Sequence, residues 1–370
     1  MESTAVRSDA PLGNQIEGGS TMIVRTSLVI VLALVSGLAY LAGVTLAAQT
    51  AHDAPHWAYG YMKPPAPEES APPCPATARP FPDCAYPVTP TAEDGVKRTL
   101  PGSSKSFTRN EAHFDYGPGD WYPEDHPTMP DIVARGRQAD GIRACGLCHY
   151  PNGQGKMENG GVAGLPAAYI LQQLADFKSG VRKSADPRKA NTNEMVAIAR
   201  ALTDAEAQAA ADYFASMPWR RWVRVVESDQ APRVRATTNG LFLPIAGAPQ
   251  EPLGQRIIEM PEQPEATELS RDPRSGFVAY VPIGSIAKGE ALVATGGDGR
   301  TARCTTCHGA DLMGTATVPG IAGRSASYLV RQLYDMQQGT RQTKTMKTAV
   351  AKLTVEDIVN ITAYASSRQR

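Results

Sequence analysis

Cys145-Gly146-Leu147-Cys148-His149 decides how this chain reads, and Cys304-Thr305-Thr306-Cys307-His308 repeats it. Both stretches have the form C-x-x-C-H, the attachment pattern of a c-type haem. The spacing has a chemical reason. Two thiols three positions apart on one helical turn can each add to a vinyl group at the haem edge. The next histidine then lies under the iron as its proximal ligand. With six Cys and six His in 370 residues, composition alone gives roughly 0.002 such matches per chain. Two matches are not coincidence. A zinc site would need further Cys or His nearby, and a redox dithiol would need a βαβ setting. Neither surrounding is present. The expected cofactors are therefore two covalently bound haem c groups, with Cys145, Cys148, Cys304 and Cys307 as attachment points and His149 and His308 as iron ligands.

The stretches around the motifs repeat as well. At an offset of 159, Cys145, Cys148, His149, Gly164, Tyr169, Leu174, Asp176, Gly180 and Arg182 become Cys304, Cys307, His308, Gly323, Tyr328, Leu333, Asp335, Gly339 and Arg341. Further on the offset is 151, and Met195, Leu202, Thr203, Tyr213 and Ser216 become Met346, Leu353, Thr354, Tyr364 and Ser367. One supersecondary unit is used twice, over 131–217 and 284–370. In the first unit a helix is expected over Ile132–Arg137. Pro166 opens another, with Tyr169, Leu171, Leu174 and Phe177 on an apolar stripe. Thr203-Asp204-Ala205-Glu206 reads as a capping box that starts the last helix.

The repeat also narrows the choice of a second iron ligand. Neither unit has a histidine beyond its motif. In the second unit Met313, Met336 and Met346 compete, and their counterparts are Gln154, Phe177 and Met195. Only Met346 has a methionine opposite it. Met157 follows His149 too closely for the chain to pass round a haem. Methionines more often fill cores than bind metals, but the shared position before the final helix favours Met195 and Met346 as ligands. A thioether ligand raises the potential and suits a carrier of single electrons.

Charge is balanced, with 37 basic and 37 acidic residues, so nothing points to nucleic acid. Residues 1–21 form a polar tail. Arg25 then precedes an uncharged run, in 22–51, whose apolar heart is Leu28–Ala48. As a helix this heart is about 32 Å long, near the ~30 Å bilayer core. It reads as a transmembrane anchor or as a signal peptide cut near Leu46-Ala47-Ala48-Gln49. Either way, positive charge before the run places the remainder outside, on the periplasmic side of a membrane. Residues 52–130 are Pro-rich and acidic, net −5. They read as an extended segment that wraps a module or acts as a spacer. Phe114, Tyr116, Trp121, Tyr122 and Met129 point to docking, and Cys74 and Cys84 are expected to pair. Residues 218–283 alternate like strands at Trp222-Val223-Arg224-Val225-Val226, and are broken by Pro and Gly. They are expected to be a linker with some β-ribbon, packed between the modules.

With C-x-x-C-H, a Tyr-bearing helix, a methionine and a C-terminal helix in that order, each half resembles a class I cytochrome c domain. The pair resembles the periplasmic di-haem cytochromes c. The resemblance covers 131–217 and 284–370 and implies a mainly α chain of two helical modules whose N- and C-terminal helices cross. It also implies that a backbone carbonyl before the Tyr-bearing helix holds the proximal histidine. Pro319 fits that place in the second module, and Gly160 occupies it in the first.

The function this implies is electron transfer between a dehydrogenase or quinol oxidase and a terminal acceptor, with no substrate chemistry. A cytochrome subunit docked to a dehydrogenase is the alternative. A di-haem peroxidase needs an open or histidine-exchangeable iron, and its candidate histidines are His52, His56, His113 and His126, all in the extension. The second module is basic, net +5 against +1 for the first. Lys344, Lys347 and Lys352 are candidate steering charges toward an acidic partner.

Overall fold

A computed structural model describes residues 54–62, 91–237 and 239–368. The run 28–48, His52 and the Cys74/Cys84 pair lie outside the described residues. The expectation of a membrane-spanning protein is corrected. Among the described residues no helix is long and apolar enough to cross a bilayer. The longest described helices have 13 residues, about 20 Å, short of the ~30 Å needed.

The second module is a set of packed helices. Ser285–Thr295 ends at Gly296 in the left-handed region, and Val355–Ser367 starts on a capping box between Thr354 and Asp357. These two helices cross where Gly289 meets the Asn360 backbone. Leu292, Val293, Ile358, Val359 and Ile361 are buried about the crossing. Ala326–Gln337 packs on Val355–Ser367, while Thr305–His308 and Lys344–Val350 complete the module.

The first module holds Asp131–Ala134, Cys145–His149, Ala167–Ser179, Ala190–Ala201 and Asp204–Ala215. Pro166 stands at the start of Ala167–Ser179, and the Thr203–Glu206 capping box forms as expected. The first helix is shorter than the expected 132–137. Gly136 turns the chain at φ +64°, and a Cβ there would lie 2.2 Å from the Ile142 carbonyl oxygen. Arg137 then pairs with Ile142 as an extended bridge.

The stretch between the modules is more than a linker. Val223–Glu227 (β1) runs parallel to Phe277–Val281, which runs antiparallel to Ile258–Pro261. Between them Gln230–Ala231 (β2), Val234–Ala236 (β3), Phe242–Pro244 (β4) and Glu251–Pro252 (β5) form two small antiparallel pairs, β2 with β5 and β3 with β4. Ile258–Pro261 (β6) is wholly buried and Phe277–Val281 (β7) nearly so. Their side chains join the same core as both modules. The Pro and Gly punctuation marks short strands, not a loose tether.

The extension is anchored as well. Tyr59, in a short turn at His56–Tyr59, is buried against Ala326–Gln337 and donates to Asp335 Oδ1 at 2.7 Å. Tyr61 Oη donates to the Arg188 carbonyl at 2.8 Å. Its partner belongs to the longer loop that sets the 159 and 151 registers apart. Leu100, Ala112, Trp121 and Tyr122 make a second apolar cluster. Of the expected docking residues, Trp121 and Tyr122 are buried, while Phe114 stays half exposed.

Candidate haem sites

Each attachment motif sits on one short helical turn, Cys145–His149 and Thr305–His308 with Cys304 at its N-cap. The four thiols are free of disulfides. Burial pushes the Cys145 and Cys148 thiols up to about 12.

The two histidines are held alike. His149 Nδ1 meets the Gly160 carbonyl at 2.7 Å, and His308 Nδ1 meets the Pro319 carbonyl at 2.8 Å. A carbonyl can only accept, so Nδ1 carries the proton and Nε2 is the nitrogen left for iron. Burial, the larger influence, holds both imidazoles below the ordinary histidine range, which favours the neutral form that binds metal. Glycine at 160 supplies the carbonyl as well as proline does at 319. The first module closes round this contact with Phe214, whose ring is 6.1 Å from His149. One backbone feature differs. Tyr150 has φ +63°, where the second module uses Gly309. The buried Tyr150 ring packs on Trp222 at 6.2 Å.

Met195 lies on Ala190–Ala201 and Met346 on the first turn of Lys344–Val350. Both are partly buried and packed against the core. Met157 is elsewhere: its sulfur faces the Phe242 N–H at 3.4 Å. The described histidines of the extension have other partners. His56 meets Asp186 at 3.4 Å, His113 the Glu268 carbonyl at 2.9 Å, and His126 Asp120 at 3.2 Å.

The structure adds a group that the motifs do not announce. Arg182 donates to Tyr328 Oη at 3.0 Å and Gln332 Oε1 at 2.9 Å. Arg341 answers with Tyr169 Oη at 2.8 Å and Gln173 Oε1 at 2.8 Å. The backbones pair too: Lys183 N donates to the Thr340 carbonyl at 2.8 Å and Gln342 N to the Val181 carbonyl at 2.9 Å. Every residue here has its counterpart at the 159 offset, so the modules face each other through one patch used twice, as in a two-fold dimer. Burial alone would raise the Tyr328 hydroxyl, but the Arg182 and Arg341 guanidiniums hold it below its ordinary value. The repeat list contained Arg182/Arg341 and Tyr169/Tyr328. What it could not show was that the repeats touch.

The residues present fit covalent haem: two thiols per turn, a neutral imidazole with Nε2 free, and a methionine on a later helix in the same module. Fold and sites together define a class I c-type cytochrome. The Cytochrome c family profile matches residues 133–218. Cytochrome c4 of Pseudomonas aeruginosa is 27% identical over 60% of this chain and 81% of its own length. The thiosulfate dehydrogenase electron acceptor of Stutzerimonas stutzeri is 28% identical over 57% of this chain and 71% of its own. A solved cytochrome c4 from Acidithiobacillus ferrooxidans is similar over 62% of this chain and 99% of that one, at 21% identity and a TM-score of 0.40.

This chain is a di-haem c-type cytochrome related to those proteins, with two covalent haem c groups. It is an exported electron carrier of the periplasmic side and not an enzyme. Denaturing mass spectrometry of the purified protein is expected to show the added mass of two haems and no zinc. One haem, or an alkylatable thiol at Cys145 or Cys304, would contradict this.

Proposed function

We propose that this cytochrome is the electron acceptor of a dehydrogenase, docked to that enzyme rather than shuttling freely. The observation that carries this is the pair of relatives named as thiosulfate dehydrogenase electron acceptors, one at 28% identity over 71% of its length and one at 39% over 88 residues. An inorganic sulfur compound is accordingly the first substrate class to test with the partner enzyme. The packed sheet and the anchored extension, absent from a minimal two-module carrier, supply additional surface for such a complex.

In this reading 131–217 and 284–370 are the haem domains. When bound, haem supplies a one-electron iron couple. Cys145, Cys148, Cys304 and Cys307 tether it, and His149 and His308 hold the proximal side. Met195 and Met346 are the proposed distal ligands. Arg182 and Arg341 are buried, and their side-chain partners are neutral tyrosine and glutamine oxygens. Asp335 directs Oδ1 to Tyr59 and to Ala185 N. Buried guanidiniums call for anionic partners, and the haem carboxylates are suitable ones.

Purification from the native source at low and at high salt tests the docking. A dehydrogenase is expected to co-elute in fixed ratio, and its substrate is expected to reduce both haems in that fraction. A cytochrome that elutes alone at every salt concentration would restore the free-carrier reading.

A further inference from the structure

The two attachment motifs are alike in sequence and unlike in surroundings. Around the first, Ala144, Gly146 and Leu147 are buried. Arg271, itself buried, donates to the Gly146 carbonyl at 3.2 Å and to the Leu147 carbonyl, and holds the Ala112 carbonyl at 3.0 Å. Ala144 N donates to the Asp115 carbonyl at 2.9 Å, and Arg143 pairs with the Asp115 carboxylate at 3.3 Å. The covering layer is itself fastened. Trp121 Nε1 donates to the Ser270 carbonyl at 2.6 Å, and His113 meets the Glu268 carbonyl. The extension and the Pro264–Ser270 helix thus close together over the first motif.

Among the described residues nothing comparable lies over the second. Ala302, Arg303, Thr306 and Cys307 are exposed. Exposed basic residues stand beside the motif and beside the proposed ligand Met346 in the chain: Arg303 immediately precedes Cys304, and Lys344 and Lys347 lie within two positions of Met346. Elsewhere on this module Lys288 and Arg300 are paired with Glu356 and Asp357. Among the described residues no carboxylate pairs with Arg303, Lys344 or Lys347.

We infer that the chain exchanges electrons with mobile partners through one port: the attachment face of the second module, open among the described residues, which takes the acidic face of a one-electron redox protein. The first module's equivalent face is closed by the chain's own extension and inter-module layer. This rests on the electron-carrier assignment and deepens it. It does not require that the partner be a dehydrogenase. Per encounter, a donor loses one electron and the cytochrome gains one, with no bond made and no proton moved. Three exposed cations with no carboxylate partner among the described residues favour fast, salt-sensitive encounter over tight binding.

The test uses the holoprotein and a flavodoxin as an acidic one-electron probe. Carbodiimide cross-linking, which joins lysines to carboxylates, is expected to link Lys344 or Lys347. It is expected to leave Lys105 on the covering layer and Lys178 on the first module unlinked, although both are exposed. Arg303→Glu with Lys344→Glu and Lys347→Glu is expected to slow reduction by reduced flavodoxin by about tenfold or more at low salt. Arg303→Lys keeps the rate, and Lys105→Glu does not change it. Cross-links spread over both modules, or a rate indifferent to salt and to charge reversal, would overturn the single port. Failure of dehydrogenase co-elution would leave these results untouched, so the two readings fail separately.

Discussion

Replacing Met346 by histidine is expected to lower the potential of one haem by on the order of 0.1–0.3 V and to leave the other in place, within the roughly 0.8 V span over which axial ligands set haem potentials. A thioether favours ferrous over ferric iron, and a second imidazole reverses that preference while keeping the iron six-coordinate. Met346→Ala instead leaves the iron without a protein ligand on that side. Met195→His is expected to act in the same way on the first haem. The reasons are structural as well as positional. Both methionines sit on helices that follow the Tyr-bearing helix of their module, and both are partly buried against the core. Met157 is engaged with Phe242 N–H, and Met336 is buried within Ala326–Gln337. Potentiometric titration followed at the haem bands separates the two irons. If neither titration wave moves in either variant, and the ferric methionine band persists, these ligands are misassigned. Met313, partly buried in the second module, is then next to test.

The haem modules were legible because their chemistry is local. Thiols and imidazole in one turn, a proline or capping box at a helix start, and a register shared by two halves are all short-range facts. Even the carbonyl that orients each histidine lies only 11 residues from it. What the sequence did not disclose was long-range. β1 and β7 pair in parallel across a separation of more than fifty residues, and short strands broken by Pro and Gly read as ribbon when their partner is that distant. Tyr59 looked like a residue of a Pro-rich spacer, and Trp121 pointed to docking without naming its partner; each finds a buried hydrogen-bond acceptor far along the chain. Arg271 carried no signal at all. It lies outside both repeats, and its importance comes only from the carbonyls it reaches. Arg182 and Arg341 are the intermediate case. Their repetition was visible, but a repeat pairs positions in sequence and does not say that they meet in space.

Gly289→Ala is expected to destabilise the second module by about 3 kcal/mol or more, although mid-helix alanine normally improves on glycine by up to about 1 kcal/mol. The two effects have opposite signs, so the measurement discriminates between them. A Cβ at position 289 would stand 1.9 Å from the Asn360 carbonyl oxygen and 2.8 Å from Tyr364 Cβ. The obstacle is largely backbone, so no rotamer change relieves it. The helices Ser285–Thr295 and Val355–Ser367 must move apart, and Leu292, Val293, Ile358 and Val359, all buried at that crossing, lose contact together. Interiors packed at crystal density do not absorb such a shift locally. Against a typical total of 5–15 kcal/mol, the loss is large. The first module lacks this vulnerability, since its first helix is only the four-residue Asp131–Ala134 turn where it meets Asp204–Ala215. Denaturant unfolding of the holoprotein, followed at the haem bands, is therefore expected to show one haem environment loosening at lower denaturant and the other unchanged. Ala294→Gly, at an exposed position of the same helix, calibrates the propensity effect at about 1 kcal/mol. A Gly289→Ala protein as stable as the parent, or more so, would mean that the crossing is open enough for a methyl group. The close contact between the first and last helices would then not be what holds the second haem module together.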